Sequence, residues 1–328
     1  MISGKKILVT GAGGFIGSYL VSRLRRYNNV VRGVDRVYSR YLPQEVLAMG
    51  AVADLRNFDE VTRVITHEKP DMIFHFAADM GGIGFITKNG ADVINNNMKI
   101  NANIMKAAAG LKIKKLFFSS SACVYPEYRQ DSRAALDKSE KPEWMLKERD
   151  VLPAMPDTYY GWEKLAMEKM MQAYHEDYGI DTRIARYHNI FGPFMHSEER
   201  DKAPAALCKK VINAKDGTIE IWGSGKQRRS FLYIDDCIDG TLALMESDIT
   251  EPVNIGSDRA VTIDELADIA IAISGKRLEK VHVAGPVGVD SRNADITMAK
   301  EKLGWSPKVS LEDGMKKLYD YLEAGNGE

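Results

Sequence analysis

Residues 7–9 are apolar, and Thr10-Gly11-Ala12-Gly13-Gly14-Phe15-Ile16-Gly17 follows them directly before an amphipathic segment at 15–26. A strand that turns through closely spaced glycines into a helix leaves few folds open. Gly11 permits the tight turn, Gly14 lets backbone N–H groups approach a pyrophosphate, and Gly17 lets the helix pack closely on the sheet. The helix N-terminus, at Phe15 and Ile16, then turns its partial positive charge toward the anion. Such a turn predicts a dinucleotide as ligand.

Short β-branched or apolar runs at 7–10, 30–35, 72–76, 115–119 and 182–187 alternate with amphipathic segments at 15–26, 58–67, 92–110 and 160–178. This alternation predicts an α/β chain with a doubly wound parallel sheet of the Rossmann kind, covered by helices on both faces. At roughly 150 residues per domain, 328 residues make about two domains. We expect an NAD-binding Rossmann domain over 1–187 and a smaller C-terminal α/β substrate domain over 188–328, with some strands and helices returning to the first. Between 127 and 157 the chain is charged, punctuated by proline and without a period, which reads as a long surface excursion. Helices are expected to begin near Thr262 and Met298.

Asp35 ends the second strand, where a carboxylate accepts hydrogen bonds from an adenosine ribose and repels a 2′-phosphate. NAD is therefore expected rather than NADP, despite the neighbouring Arg36. Asp54 either flanks the adenine or belongs to the start of the next helix.

Forty-five Lys+Arg against 46 Asp+Glu leave a net charge of -1, with both signs interspersed. That balance offers no nucleic-acid face and no polybasic membrane patch. The three cysteines, at 123, 208 and 237, are widely spaced and form neither a metal-ligand cluster nor a disulfide framework. No bound metal is expected. The N-terminus lacks the apolar core of a signal peptide and no stretch is apolar enough to span a membrane, so a cytoplasmic protein is expected.

Tyr160 and Lys164 lie one turn apart at the start of a helix. An ammonium there favours tyrosinate, lowering the phenol toward the range in which it takes a proton from a sugar hydroxyl. With the glycine loop and with Ser121 in Phe118-Ser119-Ser120-Ser121-Ala122-Cys123-Val124-Tyr125, this pair resembles the extended short-chain dehydrogenase/reductase superfamily. The resemblance implies that Ser121 hydrogen-bonds the substrate hydroxyl beside Tyr160 while Lys164 also holds the nicotinamide ribose. Members that dehydrate sugar nucleotides carry an Asp-Glu pair after that serine, where this chain has Ala122-Cys123. Members that only invert C4 usually have glycine after Val-Tyr, where this chain has Pro126.

Longer stretches are similar to the GDP-mannose 3,5-epimerase family: HFAADMGGIGFI at 75–86, SSACVYPE at 120–127, RYHNIFGPF at 186–194, KAPAALCKK at 202–210, RRSFLYIDDC at 228–237 and EPVNIGSD at 251–258. The family's chemistry implies oxidation at C4, because a C–H beside an alcohol is not acidic whereas one beside a ketone yields an enolate. Tyr160 would take the C4 hydroxyl proton, and Cys123 and Lys202, on opposite sides, would exchange protons at C5 and C3. Thiol and amine begin near pKa 8.5 and 10.4, so each needs a positive neighbour or burial to work near neutrality. Cys208 and Cys237 are read as packed residues. The resemblance also implies a GDP-sugar substrate touching Gly81, Gly82, Ser121, Cys123, Asn189, Lys202, Arg229 and Arg292. Lys210 is either a phosphate contact or a surface charge, and Trp222 either stacks on the base or fills the core. A homodimer built on the helices around 92–110 and 160–178 is implied. A sugar-nucleotide 4-epimerase, with Cys123 and Lys202 as bystanders, is the same-fold alternative, and a non-catalytic NAD-binding sensor would not need Ser121, Tyr160 and Lys164.

Overall fold

The computed structural model describes residues 2–39, 42–130, 145–194, 201–285 and 288–325. Part of the excursion expected between 127 and 157 therefore lies outside the described residues. Seven parallel strands form the main sheet in the order Val253–Ile255, Asp181–Tyr187, Lys115–Ser121, Met72–His75, Lys6–Thr10, Val30–Asp35, Gly50–Val52. The alternation of side chains along each strand feeds two separate cores. Ile7, Val9, Phe74 and Phe117 join Leu20, Val21 and Leu24 of the helix Phe15–Arg25 on one face. Leu8, Ile73, Leu116 and Phe118 meet Val61, Ile65, Ile104, Met167 and Met171 on the other. Burial of both faces is why these strands read as nearly unbroken apolar runs.

Helix ends follow local chemistry. Asn57 caps Phe58–Glu68 by accepting from the Asp59 and Glu60 N–H groups, and Lys69 closes it in the left-handed conformation at φ 45°. Thr158 caps Tyr159–Tyr178 through the Gly161 N–H, and Gly179 ends it at φ 64°. Tyr160 is thereby fixed in the first helical turn.

The chain builds outward from Lys6–Thr10 through Val30–Asp35 to Gly50–Val52, then returns to Met72–His75 on the opposite side of Lys6–Thr10. This switch opens a crevice at the carboxyl ends of the strands, the usual ligand position in open α/β sheets. A second sheet orders Ala260–Thr262, Arg228–Ser230, Ser291–Ala294 and Met145–Leu146. The two halves of the sequence exchange strands: Met145–Leu146 goes to the second sheet, and Val253–Ile255 comes back to the first. Arg23 of Phe15–Arg25 pairs with Asp239 and, at 3.9 Å, with Asp235 on the helix Ile234–Glu246, which clamps the halves together.

Candidate active site

A cleft of about 860 Å³ runs from the glycine loop, past the ends of Lys115–Ser121 and Tyr159–Tyr178, to the second sheet. At one end, Gly11 adopts φ 70°, and a Cβ there would lie 2.7 Å from the Ala77 nitrogen. A Cβ on Gly17 would come within 2.2 Å of the Gly11 carbonyl oxygen, so loop and helix touch backbone to backbone. The helix that follows has no side-chain cap and no acidic residue in its first turn, leaving its N–H groups aimed at the cleft. Gly13, which the sequence reading passed over, donates its N–H to the Asp35 carboxylate at 2.9 Å. Asp35 also accepts from the Arg36 N–H at 2.7 Å, and burial raises its pKa. Asp35 thus braces the loop from behind, while Val37 and Ser39 line the cleft at that end. Asp54 does not line it: Arg56 grips its carboxylate at 2.6 Å and holds it well below the usual range. The stretch does belong to the start of the next helix, which Asn57 caps.

In the middle, Ser121 ends its strand with its hydroxyl accepting from the Cys123 N–H at 3.2 Å and hydrogen-bonded to Tyr160. Gly161 makes this approach possible, since a Cβ there would sit 2.1 Å from the Cys123 carbonyl oxygen. Lys164 is buried, 4.7 Å from the Phe118 ring centroid, 5.3 Å from that of Tyr160 and 3.7 Å from the Glu163 carboxylate. Contrary to the sequence-based expectation, Tyr160 is pushed well above its ordinary value, by burial first and then by Glu163 and Cys123. The Lys164 charge is balanced by the adjacent carboxylate. Glu163 accepts from Asn97 at 2.9 Å and Asn101 at 3.0 Å, Asn101 contacts His75 Nε2 at 3.0 Å, and His75 Nδ1 contacts Thr10 at 2.7 Å. A buried polar chain therefore joins Lys164 to the start of the glycine loop. Sequence reading missed it because its members are scattered through four elements.

At the far end, the Cys123 sulfur lies 3.2 Å from Arg292 Nη1. Lys202 precedes the helix Ala203–Asn213, lines the cleft near Cys123 and Cys237, and is pushed down from the ordinary lysine value by burial. Its ammonium has no hydrogen-bond or ion-pair partner among the described residues. Asn189, at φ 45°, donates to the Ser230 carbonyl at 2.8 Å, and Gly81 and Gly82 line the cleft beside it. Lys210 stands 5.2 Å from the Trp222 ring centroid and donates to the Glu220 carbonyl at 2.8 Å, all three lining the mouth. Trp222 is 48% exposed, so it does not fill the core. Arg229 pairs in register with Arg292, and burial with that second guanidinium lowers it to about 10. Gln227 Oε1 and Asp201 Oδ1 are buried polar atoms without a partner among the described residues, and both side chains line the cleft. Neither was singled out from the sequence. Cys208 and Cys237 are packed in helices and pushed up to about 12 and higher by burial.

The model of the NAD dependent epimerase/dehydratase family matches residues 7–256. The chain belongs to that family. GDP-mannose 3,5-epimerase 1 of Oryza sativa subsp. indica is 41% identical over 320 residues, covering 97% of this chain and 82% of that protein. Among solved structures, UDP-glucose 4-epimerase of Thermotoga maritima with UDP-glucose superposes with a TM-score of 0.84 at 27% identity, covering 97% of this chain and 99% of that one. UDP-glucuronic acid 4-epimerase of Bacillus cereus, in complex with UDP-glucuronic acid and NAD, gives 0.81 at 29% identity, with 97% and 99% covered.

As in the family, the cofactor is NAD. The loop fits it: the Cβ clashes reserve the space under the turn for backbone, and the uncapped helix start offers N–H groups to a pyrophosphate.

Proposed function

We propose that this enzyme is a GDP-mannose 3,5-epimerase. The observation that carries the reading is the pair of proton-transfer groups, Cys123 and Lys202, that line one cleft with Tyr160 and Ser121. When bound, NAD supplies the reversible oxidation of the sugar at C4. Tyr160 takes the C4 hydroxyl proton as phenolate and later returns it; burial, Glu163 and Cys123 oppose that form, and the hydrogen bond to Ser121 favours it. Beside the resulting ketone, the electrons of a C–H bond move onto the carbonyl oxygen when a base removes the proton. Each inversion therefore needs a base on one face of the ring and an acid on the other. Cys123, held against a permanent cation, suits the base, and Lys202, eased toward neutrality by burial, suits the acid.

Arg229, Arg292, Lys210 and Asn189 line the part of the cleft that would take the diphosphate and sugar, with Trp222 at the mouth. Gln227 and Asp201 supply acceptors for sugar hydroxyls. On this reading residues 1–187 mainly hold the cofactor and residues 188–328 the substrate. The 41% identity to the rice enzyme supports this assignment over the 4-epimerase alternative. A homodimer through Gly90–Gly110 and Tyr159–Tyr178 fits the exposed Tyr159, Trp162 and Tyr178, and would show as twice the chain mass in light scattering. A cytoplasmic location fits three free cysteines, and no helix among the described residues is long and apolar enough to cross a membrane.

Incubation with GDP-mannose in D2O tests the reaction. Deuterium at both C3 and C5 of the recovered sugar nucleotide is expected. Its absence from both positions, with or without inversion at C4, would overturn the reading.

A further inference from the structure

Arg292 is held by residues remote in sequence. Gln130 donates its Nε2 to the Tyr125 carbonyl at 3.0 Å and to the Pro126 carbonyl at 3.3 Å, so its amide oxygen must face the other way. That oxygen accepts from Arg292 Nε at 2.5 Å. Asp157 accepts from Nη2 at 3.2 Å. Because the guanidinium is planar and rigid, two anchored nitrogens fix the third. The third, Nη1, points at the Cys123 sulfur at 3.2 Å.

We propose that Gln130 and Asp157 are positioning residues for proton transfer by Cys123: they clamp Arg292 so that one N–H is donated to the sulfur and its cation is held against it. The inference rests on Cys123 being a proton-transfer group in the reaction proposed above. Four cations act electrostatically on the sulfur, namely Arg292, Arg229, Lys202 and Lys164, and the Tyr160 phenol does so as well. Arg292 differs from the two lysines in a way that matters. It cannot lose its proton, so its field on the sulfur persists while Lys202 cycles between charged and neutral. Arg229 directs its nitrogens to the backbone carbonyls of Arg228, Val289 and Asp290. Asp157 carries the opposite charge, but it meets the guanidinium on a different nitrogen from the one that faces the sulfur. With Arg292 only 8% exposed, loss of a clamp leaves a desolvated cation free to turn toward whichever acceptor remains.

The test uses the full chain with NAD and compares it with Gln130→Leu, Asp157→Leu and Asp157→Glu. Iodoacetamide alkylation of the Cys123 peptide is followed by mass spectrometry from about pH 6 to pH 10. Cys208 and Cys237, both buried, stay unlabelled as long as the fold is intact. For Gln130→Leu and Asp157→Leu we expect alkylation at neutral pH to fall roughly tenfold, recovering at high pH, with Asp157→Glu keeping most of it. The acid limb of deuterium exchange should move upward in parallel. Folded variants with an unchanged alkylation profile would overturn the proposal. Alkylation needs no substrate, so a parent enzyme that fails to exchange deuterium with GDP-mannose sinks the assigned reaction and leaves the clamp to be judged by labelling.

Discussion

Two lysines face the same cleft, Lys164 buried and Lys202 half-buried, and their surroundings could hardly differ more. Lys164 sits 3.7 Å from a fully enclosed carboxylate, itself held by two asparagines and linked through His75 to the glycine loop. Among the described residues, the groups that act electrostatically on Lys202 are the thiols of Cys123 and Cys237. Burial pushes both amines down, but Glu163 opposes that push at Lys164, whereas among the described residues only the two thiols oppose it at Lys202. The first arrangement keeps a charge in place. The second lets a proton come and go, which is what an acid/base group needs.

Arginine in place of each lysine separates the two roles. Lys202→Arg places a group there that cannot yield its proton, and we expect kcat to fall by roughly a thousandfold. Lys164→Arg preserves charge and should cost no more than roughly tenfold, measured as steady-state epimerisation. Similar losses in both variants would erase the distinction.

Glu163→Gln makes the Lys164 site resemble that of Lys202. Removing one partner of a buried pair should destabilise the fold by about 3 kcal/mol in urea titrations, at the low end of such losses because the amine can deprotonate. Stability unchanged in Glu163→Gln would mean that the carboxylate is not charged in the native state.

His75 extends the Lys164 network, and burial holds it down to about 3, as it does His188. The unfolded chain then binds protons below about pH 6.5 that the native state refuses, so stability falls as pH falls. Each histidine should contribute about 2 kcal/mol of loss between pH 6.5 and 5, and His75→Gln should flatten the pH dependence by its share.

Asp54→Asn should be the smallest effect. Arg56 already neutralises this carboxylate outside the cleft, so NAD affinity by calorimetry is expected to change less than twofold.

Much of the frame was legible beforehand. The strand expected at 30–35 is Val30–Asp35, and the helix expected at 160–178 is Tyr159–Tyr178. Glycine spacing and apolar periodicity are local constraints on the backbone, so they survive into the fold unaltered. Tyr160, Lys164 and Ser121 were legible for the same reason: each sits at a fixed offset from an element boundary. The Asp54–Arg56 pair was not foreseen, because the direction of a side chain is contained in no spacing rule. Gln130, Asp157 and Glu163 were overlooked because a glutamine in a charged loop, or an acid between two aromatics and a lysine, carries no pattern.

The alternation of strands and helices, the dinucleotide turn and the spacing of Tyr160 from Lys164 were thus set by residues acting on their near neighbours. The direction in which each ionisable group is pushed was not. Tyr160 is raised rather than lowered, Lys164 is paired, Lys202 has no ion-pair partner among the described residues, and Arg292 meets Cys123 across 169 positions of sequence. Desolvation and Coulomb forces depend on which atoms enclose a group in space, and folding brings those atoms from every part of the chain.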